Sequence, residues 1–293
     1  MALADPFTPS FFRRLQQLKI RTRRSFLGSR QGSHLSQRKG QGLEFSDYRP
    51  YTPGDDFRHI DWGIYGRTDR VYVREFREEQ DLNVMVVLDG SASMAYPEGE
   101  KKYEFARDLA LSLGYVALTD GDSVTFSVLG HKNTPRYSGP KALSRAAKDL
   151  YDAEPKGSFA LTTELRAAIA RHRIPGKCFF ISDFLYDIDE LFAGLDVIRF
   201  KNFEISLVQV LAPSELKLDV DKNMLVVDAE TGGSLELSLG SRSAQEYAVA
   251  LAAHVEAIEQ YSARYGITHL LTSSADEVSD VVLTRFPEAG LLR

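Results

Sequence analysis

The residues most able to do chemistry in this chain follow a short apolar run. Residues 84–88 are continuously apolar, which is typical of a strand buried on both faces of a parallel sheet. Asp89 follows, at the strand end where loops of open α/β sheets face a binding crevice. Ser91 and Ser93 add two hydroxyls on the same loop. Three hard oxygen ligands suit Mg²⁺ or Mn²⁺ better than a soft transition metal. An Asx-type turn, or a helix N-cap at Ser93, is the structural alternative.

The pattern D-x-S-x-S after a strand resembles the start of the metal-ion-dependent adhesion site of von Willebrand factor A-like domains. The resemblance implies two further ligands, a threonine from a second loop and an aspartate after a later strand. Thr163 matches the first at the start of a predicted helix, with Thr162 as the competing candidate and helix capping as the alternative for either. Asp183 matches the second, because it ends the apolar run K-C-F-F-I-S.

The resemblance also assigns a role to each of these side chains. The hydroxyls of Ser91, Ser93 and Thr163 would contact the cation, while Asp89 and Asp183 would hold its waters or bind it directly. A cation held mostly by neutral hydroxyls stays electrophilic, so an acidic side chain of a protein partner can complete its octahedron. The expected function is therefore metal-dependent protein binding, with no catalytic residue.

A longer motif lies upstream of the aspartate. Residues 40–62 read G-Q-G-L-E-F-S-D-Y-R-P-Y-T-P-G-D-D-F-R-H-I-D-W, and residues 66–76 read G-R-T-D-R-V-Y-V-R-E-F. With the D-G-S-A-S-M that follows, this string resembles the bacterial family known as domain of unknown function 58, whose members carry a von Willebrand A-like core. Members are often encoded beside AAA+ ATPases of the MoxR type. The resemblance implies work with such an ATPase or its client in the maturation or assembly of other proteins.

The alternative from a different class is a metal-dependent phosphohydrolase that uses Asp89 as the phosphoryl acceptor. Such enzymes need a second acid for the leaving group and a lysine for the phosphoryl charge. The second position after Asp89 is Ser91, and the nearest lysines, Lys101 and Lys102, are interpreted as the solvated start of a helix. The sequence therefore disfavours hydrolysis.

Charged and aromatic residues alternate in the segment before the apolar core. The following charged residues alternate in sign and are expected to pair with one another: Asp55, Asp56, Arg58, Asp61, Arg67 and Arg70. The aromatic residues predict a structured collar, with a partner-binding surface as the alternative. Residues 67–76 are predicted to form one amphipathic strand.

The amino-terminal segment is strongly basic. Residues 11–39 contain nine lysines and arginines and no acid, although the whole chain has a formal net charge of -5. We expect this arm to dock on the body or bind a partner, with peripheral membrane contact as an alternative. No nucleic acid is expected, because no aromatic stacking module accompanies the charges.

Composition bounds the remaining possibilities. A chain of 293 residues that is 43% hydrophobic can bury a large core. No apolar run approaches the roughly 20 residues needed to span a bilayer and no signal peptide is apparent, so a cytoplasmic protein is expected. The sole cysteine, Cys178, lies within a predicted buried strand and is interpreted as structural.

Strands and helices alternate along the rest of the chain. This order predicts an α/β, von Willebrand A-like (Rossmann-like) three-layer fold with a mostly parallel central sheet, plus an N-terminal extension. The predicted organisation is a basic arm over 1–39, a collar segment over 40–80, and a domain over 81–293 with a hairpin insertion near 224–239. A closing helix is predicted over 275–286.

Overall fold

The computed structural model describes residues 6–23, 31–40, 44–132, 135–217, 224–227, 234–237 and 241–293. The chain divides into two compact units. One comprises Met1–Arg23 together with Asn83–Arg293, and the other comprises Arg24–Leu82.

The strands of the described residues follow one another in chain order as β1 (Gln31–Gly40), β2 (Glu44–Pro50), β3 (Tyr72–Gln80), β4 (Asn83–Leu88), β5 (Ser123–Val128), β6 (Arg136–Ser138), β7 (Lys177–Ser182), β8 (Glu204–Leu211), β9 (Met224–Val227), β10 (Ser234–Leu237) and β11 (Thr268–Ser273). The helices are α1 (Pro9–Leu15), α2 (Trp62–Thr68), α3 (Lys102–Thr119), α4 (Leu143–Tyr151), α5 (Leu161–Ala170), α6 (Ile188–Phe200), α7 (Pro213–Leu216), α8 (Ser241–Tyr265), α9 (Val278–Asp280) and α10 (Phe286–Glu288).

The larger unit is built on a six-stranded sheet with the order β11-β8-β7-β4-β5-β6. The first five strands of this order are parallel, and only the edge strand β6 is antiparallel. Strands β4, β5, β7 and β8 are buried along their whole length. Such burial is expected when helices cover both faces of a parallel sheet. The predicted α/β, Rossmann-like three-layer fold is confirmed.

The two faces of the sheet carry different helices. On one face of the sheet, Met85 and Val87 of β4 and Cys178 and Phe180 of β7 belong to a core cluster. Three helices add side chains to this cluster: Leu165 of α5, Leu195 of α6 and Ile258 of α8. Helix α3 packs against β4, β5, β7 and β8. None of its residues belongs to that cluster, and alternate strand residues point to opposite faces, so α3 covers the other side. The thiol of Cys178 is fully buried, and burial raises its pKa, as expected for a structural cysteine.

Two local predictions need adjustment, and one strand was not predicted. Residues 67–76 are not one strand, because Asp61 caps the helix α2 and Asp69 ends it in the left-handed conformation, at φ 56°. The antiparallel strand β6 was not predicted, because it is only three residues long. The closing helix is broken into α9, a π-helical turn over Val281–Arg285, and α10. Strands β9 and β10 do form the expected hairpin, whose predicted turn lies outside the described residues.

The smaller unit is an antiparallel sheet of order β1-β3-β2. Of the charges expected to pair with one another, Arg58 and Asp56 do so, with Arg58 Nη2 2.6 Å from Asp56 Oδ2. Asp55 pairs instead with Arg49, whose Nη2 lies 2.5 Å from Asp55 Oδ1. Asp61, which caps α2, also lies 2.8 Å from Arg74 Nη2.

The first described residues dock on the larger unit. Phe11, Leu15 and Ile20 are buried. Lys19 and Arg293 exchange two backbone hydrogen bonds of 2.9 Å, so this segment pairs with the carboxyl terminus. Lys19 Nζ also lies 2.7 Å from Asp120 Oδ1 on the surface. Apolar burial thus fixes part of the basic arm, and its charges lie on the outside.

Leu15→Ala should lower the free energy of unfolding by about 2–4 kcal/mol, because truncation of a fully buried leucine leaves a cavity. Chemical unfolding of the whole chain measures this change. Gln17→Ala alters an exposed residue of the same segment and should change stability by less than about 0.5 kcal/mol. Equal stabilities for the two variants would mean that the segment is not docked in solution.

One acid of α3 gives a pH-dependent stability. Burial raises the pKa of Asp108 to about 6. The folded state therefore holds a proton that the unfolded state releases near pH 4, and folding stability falls as the pH rises between these values. Asp108→Asn removes this loss, so at pH 7 the variant should be more stable than wild type by on the order of 1–2 kcal/mol. Unfolding of both proteins from pH 3.5 to 7 tests this, with Asp152→Asn as an exposed control. A constant difference across the range would contradict it.

Candidate functional site

The carboxyl ends of β4 and β7 bring two of the predicted ligands together. The two strands are adjacent and parallel, with Leu88 opposite Ile181. The backbone N–H of Asp89 donates to the carbonyl of Ile181 at 2.9 Å, which continues the pairing to the strand end. Asp89 and Asp183 are both buried, with 0% and 1% of their surface exposed. Burial, and then the negative charge of Asp183, raise the pKa of Asp89.

The carboxylate of Asp89 is held in a fixed orientation. Its Oδ1 accepts the backbone N–H of Ser91 at 2.8 Å, which is the Asx-type turn considered as the structural alternative. Its Oδ2 accepts the hydroxyls of Ser182 at 2.5 Å and Tyr186 at 2.8 Å. Because a carboxylate oxygen has two lone pairs, Oδ2 is saturated and Oδ1 retains one acceptor site. The turn and a cation are therefore compatible.

The two predicted serine ligands lie side by side. Ser91 Oγ and Ser93 Oγ are 3.0 Å apart, and Ser91 is 9% exposed. A short 3₁₀ helix, Ala92–Ala95, begins between them, with Ser91 at its N-cap position, but the Ser91 side chain makes no capping hydrogen bond. The N-cap alternative for Ser93 does not hold, since Ser93 lies inside this helix. Both hydroxyls thus keep acceptor capacity next to Asp89.

The threonine candidates lie in the first turn of α5. Thr163 is exposed and Thr162 is half-buried, and neither caps the helix because the N-cap residue is Ala160. Neighbouring loops hold this turn beside the strand ends: Ala92 N donates to the Gly157 carbonyl at 2.9 Å, and Gly130 N lies 3.3 Å from Glu164 Oε2. Within the described part of the chain, neither threonine hydroxyl hydrogen-bonds to the other four predicted ligands.

The interpretation of Lys102 as a solvated helix start is wrong. Its side chain is 0% exposed, and its Nζ lies 2.9 Å from Asp183 Oδ2 and 2.6 Å from Glu215 Oε1. Helix α3 is buried on almost every side, so its first turn lies against the sheet edge, while the preceding Lys101 is exposed in the left-handed conformation. Burial lowers the pKa of Lys102, but the two carboxylates outweigh it and raise the pKa overall. The ammonium is therefore charged.

Two further residues of this cluster were missed in the sequence. Glu215 belongs to α7, and its Oε2 accepts the backbone N–H of Ala212 at 2.7 Å, which fixes the first turn of that helix. Burial raises the pKa of Glu215, against the opposing charge of Lys102. A proline at N1 followed by a glutamate at N3 is a signal of a helix start, although it does not predict a buried ion pair. Tyr186 had no comparable signal.

The charges of the cluster do not balance. When ionised, the three acids Asp89, Asp183 and Glu215 face one ammonium among the described residues, that of Lys102, which leaves a net charge of about -2 in a largely buried space. A divalent cation would neutralise this excess. Among the described residues, no group of three or more histidine, cysteine or acidic side chains is arranged to hold a metal ion. The predicted ligand set is of another kind, since three of its five members are hydroxyls. It fits a hard cation bound partly through water.

Lys102→Met should lower the free energy of unfolding by about 3–5 kcal/mol at neutral pH, because it leaves buried carboxylates without their cation. Chemical unfolding measures the loss, which should shrink at acidic pH as the carboxylates take up protons. Lys101→Met makes the same change at the adjacent exposed position and should have little effect. If both variants are equally stable, the ion pair does not support the fold.

Comparison with known proteins gives relatives without an assigned activity. An uncharacterized protein of Mycobacterium tuberculosis (strain H37Rv) is 28% identical over 268 residues, which cover 87% of this chain and 82% of the relative. An uncharacterized protein of Mycobacterium bovis gives the same values.

Solved structures give more distant similarities. The crystal structure of BatB, a conserved hypothetical protein from Bacteroides thetaiotaomicron, has a TM-score of 0.42 and 16% identity, and the match covers 71% of this chain and 98% of that one. An aerotolerance-related membrane protein from Bacteroides fragilis has a TM-score of 0.37 and 17% identity, with 62% and 98% coverage.

Among the described helices, none combines the length and the apolar character required to cross a bilayer. The family comparison matches residues 47–257, well over half of the chain. The chain belongs to the family described as Protein of unknown function DUF58.

Proposed function

We propose that this protein is a metal-dependent protein-binding module that holds Mg²⁺, or Mn²⁺, at the ends of β4 and β7. The observation that carries the proposal is that the buried carboxyl groups of Asp89 and Asp183 lie beside the two neighbouring hydroxyls of Ser91 and Ser93. Buried like charges are unfavourable unless a cation or a proton is bound. The hydroxyls supply the neutral ligands that distinguish a hard-cation site from a site of carboxylates alone.

Each residue of the site would make a different contact with the cation or with its bound waters. Ser91 and Ser93 would contact the cation, and the remaining lone pair of Asp89 Oδ1 would accept one of its waters or bind it directly. Asp183 would act in the same way, oriented by Lys102 and by the backbone N–H of Leu185, which donates to Oδ1 at 3.2 Å. Thr163, exposed at this edge, is the proposed third hydroxyl ligand. The bound cation would supply an electrophilic position for a carboxylate from outside the chain.

The proposed partner is a protein that presents an acidic side chain to the cation. A MoxR-type AAA+ ATPase, or its client, is the partner implied by the family resemblance, and the cytoplasm is the compartment in which they would meet. Part of the basic amino-terminal segment packs on the larger unit through Phe11 and Leu15. That packing favours docking over membrane contact for this part of the arm.

A phosphohydrolase is the second candidate, and Lys102 is the observation that favours it. Its ammonium lies 2.9 Å from Asp183 Oδ2, close to where a phosphoryl charge would need a cation. Two observations weigh against it. Lys102 is already paired with two carboxylates, and Asp89 is fully buried with its Oδ2 engaged by two hydroxyl donors. A nucleophile must instead present a free oxygen to its substrate.

Magnesium should stabilise the wild-type chain. At a concentration one hundred times Kd, binding adds about 2.7 kcal/mol to the free energy of unfolding. For a chain of this size the melting temperature should rise by roughly 5 °C or more. Ser93→Ala removes one predicted ligand without removing a buried charge, so it should fold normally and show a much smaller shift. Ser144→Ala, an exposed serine of α4, is the matched control and should respond like wild type.

The same variants test partner binding. A purified MoxR-type ATPase from the same genome should be retained by wild type and Ser144→Ala in Mg²⁺, and released by a chelator or by Ser93→Ala. If the ATPase is retained equally in the presence of the chelator and by Ser93→Ala, the proposal is contradicted. Turnover of a generic phosphate ester that requires Mg²⁺ and disappears in Asp89→Asn would favour the hydrolase instead.

A further inference from the structure

A cavity of about 310 Å³ lies at the opposite edge of the sheet, where β4 and β5 begin. Its polar lining consists of Asn83, Thr125, Arg136, Arg171, His172 and Arg173. Strand β6 places Arg136 directly across from Thr125, and the loop between α5 and β7 supplies the other two arginines. Asn83 and Asp89 are six positions apart, at opposite ends of β4, so this edge is about 20 Å from the candidate metal site. The cavity is thus a separate feature.

Positively charged side chains line the cavity, although the chain is acidic overall. Three arginines and one histidine line it, and none of the described aspartates and glutamates does, although the chain has a net charge of -5. Arg171 and Arg173 are both exposed, and neither forms an ion pair with any described residue. Neighbouring like charges repel unless an anion lies between them. Guanidinium groups also match the geometry of phosphate oxygens better than ammonium groups do.

His172 adds a buried donor to these charges. Asn83 Nδ2 donates at 2.8 Å to the carbonyl of Ile174, which fixes the orientation of the amide, and lies 3.2 Å from His172 Nδ1. An amide nitrogen can only donate, so Nδ1 accepts and the proton of the neutral ring is on Nε2. That Nε2 is buried and has no hydrogen-bond partner among the described residues. A residue that lines the cavity therefore carries an N–H donor without an acceptor, although this nitrogen is closed to solvent in the structure.

The groups around His172 keep its ring neutral. Burial, together with the charges of Arg136 and Arg171, lowers its pKa to about 4, so the ring is neutral at physiological pH. Phe203 contacts it edge-to-face, with ring centroids 5.6 Å apart, and fixes the ring plane. An aromatic face is a weak acceptor and does not replace a full hydrogen-bond partner.

We propose that this cavity binds the phosphate group of a small phosphate-bearing molecule. Arg171 and Arg173 would pair with the phosphate oxygens, and a small shift of the His172 ring would let Nε2–H donate to one of them. Thr125 and Arg136 form the opposite wall. A volume of about 310 Å³ is at the lower end of the range for ligand cavities, which limits the rest of the molecule to a few heavy atoms.

Titration calorimetry of the whole chain with inorganic phosphate tests this site. We expect saturable binding to wild type that becomes at least tenfold weaker in the double variant Arg171→Gln/Arg173→Gln and in His172→Phe. Arg166→Gln removes the same charge from an exposed position of α5 outside the cavity and should bind phosphate like wild type. Melting temperatures establish that each variant is folded. Equal affinity in all variants, or no saturable binding to wild type, overturns the proposal.

Two further experiments identify the source of the phosphate and distinguish this site from the metal site. Glycerol phosphate should bind at least as tightly as inorganic phosphate. Binding only to vesicles that contain phosphatidylglycerol, and not to either soluble ligand, would assign the arginines to a lipid surface and overturn the small-molecule proposal. Ser93→Ala should leave phosphate binding unchanged, so failure of the proposed metal site and failure of this one give different results.

Discussion

The larger unit depends on the buried ammonium of Lys102 and the acids that surround it. This one side chain joins the first turn of α3, the end of β7 and the short helix α7, through Asp183 and Glu215. A buried charge of either sign is costly alone, so each member of this group requires the others. The pairing also leaves Asp89 as an uncompensated acid beside Asp183. The chemistry available at this edge of the sheet follows from that imbalance.

A parallel sheet gives its two edges different chemical environments. All five parallel strands end on the same side, where the loops carry Asp89, Ser91 and Asp183. At the opposite side, where the strands begin, the loop before β7 carries Arg171 and Arg173. The acidic and basic edges are separated by roughly the length of a strand. A single sheet can therefore hold the proposed cation site and the proposed anion site without one neutralising the other.

The basic amino-terminal segment is placed by its apolar side chains, although its charges are its most visible feature in the sequence. Its concentration of lysines and arginines is typical of a segment that binds anionic partners. In the structure, the apolar side chains of Phe11, Leu15 and Ile20 determine where residues 6–23 lie, and Lys19 pairs with Asp120 of the same unit. Docking on the body therefore accounts for this part of the arm.

The sequence by itself determined the β-α order, and with it the parallel sheet and the location of Asp89 and Asp183 at strand ends, because apolar periodicity and strand polarity are local properties. Only the tertiary structure decided what surrounds them. Lys102 looked solvent-exposed because a helix start gives no information about the element that covers it. Glu215 reaches the cluster from a distant part of the chain, and Tyr186 bonds to Asp89, which lies 97 positions before it. The strand β6 and the loop that carries His172 form the basic cavity for the same reason: burial and charge pairing are non-local, and they exist only after the chain has folded.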